Sequence, residues 1–112
     1  MQLKKIKKIY INGTGNQKRD FINIIDVIKI YEKVISKNIK GTYNIGTGKS
    51  TSINQLFKYL CKHFPNLKKS YKKEIVGDAM NSQASIKKIN KKISLNKLIN
   101  VKDGIETLIK KK

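Results

Sequence analysis

Between Ser52 and Pro65 the sequence spells out a whole helix, with a start, a buried face and a stop. Ser52 and Gln55 have the spacing of a capping box, in which a side chain satisfies amides that the first turn leaves unpaired. Ile53, Leu56, Phe57, Leu60, Cys61 and Phe64 follow at three-and-four spacing and draw one apolar stripe, and Pro65 blocks continuation. This helix must bury its stripe against something. A short strand, Thr42-Tyr-Asn-Ile45, is expected just before it, bounded by Gly41 and a Gly46-Thr-Gly48 loop.

The rest of the chain supplies further strand and helix patterns. Residues 3–11 alternate irregularly between lysine and apolar residues and reach Asn12-Gly13, a pair that tolerates positive φ; strand, turn and strand to about Ile24 reads as a hairpin. Asp26 is then expected to cap a helix that turns Val27, Ile30, Tyr31, Val34 and Ile35 inward and ends near Asn38. A lysine-rich turn is expected over Asn66 to Ser70, a strand over Tyr71 to Val76, and an irregular segment from Gly77-Asp78 through Ser82. A short helix from about Ser85 with Ile86 and Ile89 inward follows. A last helix from Lys102 or Asp103 packs Ile105, Leu108 and Ile109.

At 112 residues one domain or part of one is the ceiling. Lys and Arg number 26 against 7 acidic residues, a net charge of +19. Such an excess points first to polyanions. Nearly all of it is lysine, however, and arrives with heavy Ile and Asn use, a trio favoured by A/T-rich codons, so genome composition accounts for it at least as well. No RNA-stacking sheet, zinc-finger or helix-turn-helix signature accompanies the lysines, and core packing explains Tyr10, Phe21, Tyr31 and Tyr43. The lone Cys61 has no partner in the chain for a disulfide and fits a reduced, buried thiol, so a cytoplasmic location is expected. No window approaches a membrane span.

Arg19 is the chain's only arginine, set beside Gln17 and Asp20 in the glycine-punctuated stretch Asn12–Ile22. Its planar fork suits a phosphate or carboxylate, and pairing with a nearby carboxylate is the plainer alternative. Gly46-Thr-Gly-Lys-Ser-Thr51 looks like a phosphate loop but fails its spacing, because Tyr43 stands where a glycine five residues before the Gly-Lys pair is required. Only a weaker anion site at the start of the Ser52 helix remains open. His63 reads as relief for helix-terminal carbonyls, and no metal cluster, triad or carboxylate pair is visible.

Taken in order, Gly13-Thr-Gly-Asn-Gln-Lys-Arg-Asp-Phe21, Asp26-Val, Gly41-Thr-Tyr-Asn-Ile-Gly-Thr-Gly48, Ser52-Ile-Asn-Gln-Leu56, Gly77-Asp and Asp103-Gly-Ile105 resemble the C-terminal part of the NAD-dependent nucleotide-sugar epimerases and dehydratases of the extended short-chain dehydrogenase/reductase family. The resemblance runs over about residues 9–109. It implies an α/β fold in which residues 1–112 form a single partial domain, a hairpin, short strands and about four helices, with the N-terminal Rossmann half missing. It also implies a substrate role: Gln17 and Arg19 at the diphosphate of a UDP- or dTDP-sugar, Asn44 at the pocket edge and Asp78 near the ribose. Asn44 read by itself fits equally well as an amide holding the Gly46 loop. Two positions depart from the family pattern. Ile75 stands where the family has a second diphosphate arginine, with Lys72 or Lys73 as weaker substitutes, and Ala84-Ser85 replaces the family's Ala-Asp.

The glycine-rich NAD turn and the Tyr-x-x-x-Lys pair of the family are both absent, so NAD is implied by family only, its main site lies outside this chain, and no catalysis is expected of the chain alone. A separate Rossmann half is the partner this implies, with no membrane and only non-specific contact to nucleic acid. The rival reading is a small basic nucleic-acid-binding protein.

Overall fold

A computed structural model describes residues 7–111. The order of elements is β1 (Lys8–Asn12), β2 (Lys18–Arg19), α1 (Ile24–Ser36), β3 (Thr51–Ser52), α2 (Ile53–His63), β4 (Lys68–Lys72), α3 (Lys87–Asn90) and α4 (Val101–Lys110). The α/β class is as expected. Residues 3–6 of the expected first strand lie outside the described residues.

The capped helix forms where its pattern places it. Ser52 Oγ accepts from the Gln55 amide at 3.1 Å, and Phe64 ends the helix just before Pro65. α1 starts earlier than expected, because its cap is Asn23, whose side chain accepts from the Ile25 amide at 2.9 Å. Asp26 is therefore no cap. It lies inside the first turn, 2% exposed, and accepts from the Ile99 amide at 2.7 Å, tying α1 to the segment that leads into α4. Asn100 caps α4, accepting from the Asp103 amide at 2.9 Å.

The hairpin does not form. β1 pairs in parallel with β4, from Lys8 opposite Lys68 to Asn12 opposite Lys72, while β2 pairs antiparallel with β3. The chain does turn after Asn12, but the loop is claimed by the start of α2: the Asn54 amide donates to Gly15 O at 2.9 Å, Asn54 Nδ2 to Thr14 O at 3.1 Å, and the Ile53 amide to Gln17 O at 3.1 Å. These bonds carry β2 away from β1 and onto β3. The same ladder moves the last strand: Gly13 N bonds Lys72 O at 2.9 Å and then leaves, so β4 covers Lys68–Lys72 and ends short of Val76. Thr42–Ile45 likewise finds no strand to pair with. It runs as irregular chain whose Tyr43 and Ile45 pack against the core.

That core is Ile30, Ile89, Ile93 and Leu95, flanked by Ile22, Val34, Ile39, Ile86 and Leu98. α1 thus turns Ile30 and Val34 inward, whereas Tyr31 and Ile35, expected inside, are 55% and 77% exposed. Tyr10 is also 57% exposed, so core packing does not explain it. Leu108 points outward on α4, leaving Ile105 and Ile109 half-buried.

Gly15 is the tightest point of the Asn12–Ile22 turn. Its φ is +80°, and a Cβ there would collide with the Asn54 amide group. Gly15→Ala should lower stability by about 1–3 kcal/mol in chemical denaturation, from backbone strain and from loss of the Asn54 contact; an unchanged midpoint would show that the loop is not pinned to α2.

Candidate functional site

β2 is only two residues long, yet it holds the site together from both edges. On one side Arg19 stands opposite Thr51 of β3. On the other the Lys18 amide donates to Met80 O at 2.8 Å and the Ser82 amide donates to Lys18 O at 3.1 Å, which lays the 78–84 segment alongside. A turn closed by Asp78 N to Ile75 O, 3.1 Å, sets Asp78 at the head of that segment. Arg19 and Asp78, 59 residues apart in sequence, meet there: Arg19 Nη2 pairs with Asp78 Oδ1, and Nη1 donates to Lys18 O at 2.8 Å. Their side chains remain 28% and 34% exposed, so both are reachable from solvent.

The plainer alternative for Arg19, a carboxylate partner, is therefore what the structure contains, with Asp78 rather than Asp20 as the partner. Gln17 sits one step before β2 with Nε2 on Asn12 O at 2.7 Å, which orients the turn. Asn44 is exposed, and among the described residues its side chain makes no hydrogen bond. It does not hold the Gly46 loop.

Asp20 does. Its carboxylate accepts from the Thr47 amide at 3.0 Å, the Gly48 amide at 2.9 Å and the Ala84 amide at 3.3 Å, and from the Thr47 hydroxyl. Gly46 has no side chain because none fits: a Cβ would lie 2.8 Å from Asp20 Oδ2 and against Ala84. The loop that mimics a phosphate cradle already holds an anion, and that anion is a side chain of the protein itself. With Ser52 capping α2, the weaker anion site expected there is taken as well. The role of Asp20 was readable only as its place next to Arg19, since nothing local to it predicts partners 27 and 64 residues away.

Ile75, at the position where the resemblance implies a second arginine, is 55% exposed and brings no charge. Lys72 is on β4, with its ammonium 4.3 Å from the Tyr10 ring centroid. His63 is exposed in the last turn of α2. Among the described residues no group of His, Cys, Asp and Glu has metal-binding geometry, and no helix is long and apolar enough to cross a membrane. Asp20→Ala strips the Gly46 loop of its acceptor, and should lower stability by about 2–4 kcal/mol because hydrogen bonds to charged groups are the stronger ones and four donors, three of them backbone amides, lose theirs. Thermal melts of the variant beside Asp20→Asn, expected to lose less, would measure it; equal stability of all three chains would remove Asp20 from this role.

A sequence profile of the NAD dependent epimerase/dehydratase family matches residues 1–46. A Methanocaldococcus jannaschii protein assigned as a UDP-glucose 4-epimerase is 35% identical over 102 residues, which is 88% of this chain and 32% of that protein. The UDP-glucuronic acid 4-epimerase of Bacillus cereus, solved with UDP-glucuronic acid and NAD, is 29% identical and superimposes with a TM-score of 0.81 over 94% of this chain and 35% of its own. An NAD-dependent NDP-hexosamine 5,6-dehydratase involved in tunicamycin biosynthesis has the same fold, with a TM-score of 0.85 at 23% identity over 93% of this chain and 34% of its own. The chain thus spans about a third of the length of the relatives it matches. By profile, sequence and fold together, it belongs to the NAD-dependent nucleotide-sugar epimerase/dehydratase family.

Proposed function

We propose that this chain is the substrate-binding portion of a nucleotide-sugar epimerase or dehydratase and that it holds the diphosphate of a UDP- or dTDP-sugar. The observation that carries the reading is the meeting of Arg19 and Asp78 on one open face. A diphosphate offers the Arg19 fork a stronger bidentate partner than one carboxylate oxygen does. Asp78, released, would accept from ribose hydroxyls, with Gln17 steadying the turn and Asn44 bordering the pocket. With Ile75 in place of a second cation, Arg19 carries the anion largely by itself.

NAD does not fit the residues described. Its pyrophosphate needs free amides at a glycine-rich turn, and those of Thr47 and Gly48 are spent on Asp20. In this reading the cofactor belongs to a Rossmann portion outside these residues, and the chain does not catalyse alone. The second face of α1 supports such a partner. Ile24, Ile28, Tyr31 and Ile35 are 51–77% exposed and recur every three or four residues, so they form one apolar stripe beside the face that packs on Ile89. A stripe of this kind is what a helix shows when a second layer is to cover it.

Calorimetry with UDP, dTDP and a UDP-sugar should show binding that Arg19→Ala weakens about tenfold or more and that Arg19→Lys restores only in part. Unchanged affinity in Arg19→Ala would sink the diphosphate assignment and leave a scaffold that borrows the fold. Sedimentation of the isolated chain should show self-association through α1, relieved in an Ile28→Glu, Tyr31→Glu double variant. A monomeric, cooperatively melting wild type would count against a covering partner.

A further inference from the structure

We propose that the open face of the β1–β4 sheet is a binding surface for single-stranded nucleic acid, read without regard to sequence and separate from the Arg19 site. Parallel pairing puts Lys8, Tyr10 and Asn12 of β1 on the same side as Lys68, Ser70 and Lys72 of β4, since residues two apart share a face and register partners share a side. All of these except the half-buried Ser70 are exposed. Tyr10, 57% exposed, lies at the centre, with the Lys8 ammonium 5.4 Å and the Lys72 ammonium 4.3 Å from its ring centroid. Lys68 stands directly across from Lys8.

This arrangement is costly without an anion. Like charges on facing residues repel, and no carboxylate sits among them: the sequence holds no acidic residue before Asp20 and none between Glu32 and Glu74, so both strands come from acid-free stretches. Glu74, the nearest in sequence, is folded against Gly13 at the end of the sheet. Arg19–Asp78 is the ion pair present among the described residues, and none of these lysines takes part in one. An exposed ring flanked by ammonium groups on a sheet is the chemistry that holds single strands, with a base stacked on the aromatic face and phosphates paired to the cations on either side. Lysine-rich composition alone accounts for a charged surface. It does not account for an aromatic ring left in water between two of the lysines.

Fluorescence anisotropy of labelled oligo-dT and oligo-rU with the full chain separates the two. Tyr10→Ala should weaken binding about fivefold or more and Tyr10→Phe should leave it intact, as stacking requires. A Lys8, Lys68, Lys72→Ala triple should reduce the slope of log affinity against log salt by about 2, at roughly 0.7 per phosphate contact. The control triple Lys91, Lys92, Lys97→Ala has the same net charge and should stay within about twofold of wild type. Equal losses in both triples, or no loss in Tyr10→Ala, would reduce the effect to bulk charge and overturn the proposal. So would phosphatidylserine vesicles bound with the same Tyr10 dependence, which would make the surface a membrane contact. Tyr10→Leu, tested with a parallel melt, repeats the comparison if Tyr10→Ala fails to fold. UDP binding should be unaffected in every one of these variants, which keeps this test independent of the diphosphate reading.

Discussion

A single carboxylate holds the centre of this molecule. Asp20 follows Arg19 directly, and its oxygens gather amides from Thr47, Gly48 and Ala84, so the end of β2, the glycine loop before α2 and the segment after Asp78 are drawn to one point. A carboxylate that accepts several backbone donors fixes their relative positions more tightly than apolar packing does, because each bond has a direction. The pairing of Arg19 with Asp78 lies beside that point, on the same segment that Ala84 ties to Asp20. The Ala84 amide ties the far end of the 78–84 segment to Asp20, while the Lys18–Met80 and Ser82–Lys18 bonds lay its head along β2.

The same interaction explains why a loop that resembles a phosphate cradle is none. A cradle offers amides to an incoming anion, and here the amides already have one. In the reading proposed above, anion recognition falls instead to the arginine next to the residue that fills the loop. That reading rests on Arg19 rather than on glycine spacing.

α1 and the β1–β4 sheet show the opposite situation, exposed surfaces that the chain itself does not cover. α1 buries Ile30 in the core and presents Ile24, Ile28, Tyr31 and Ile35 to water, while the sheet gathers lysines around an exposed tyrosine. Apolar area left in water and like charges on facing residues both cost free energy, and it is on these costs that the two proposed contacts rest.

The sequence by itself determined the parts governed by neighbours a few residues apart. Ser52 and Pro65 bound α2, the glycines mark the turns, and the ordered motifs from Gly13 to Ile105 carry the family and the α/β class. Arg19 stood out as the one forked cation, and Asp78 was legible beside it only through the resemblance. Tertiary structure decided everything set by distant partners. Asn12-Gly13 signals a turn correctly, but whether β1 meets β2 or β4 depends on hydrogen bonds to Asn54, 42 positions further along. Asp26 has the spacing of a cap, yet burial against Ile99 gives it another use. The 3.6-residue period shows that α1 has apolar residues on more than one side, but not which side the core takes, since that choice is made by Ile89 and Ile93 arriving from the far end of the chain.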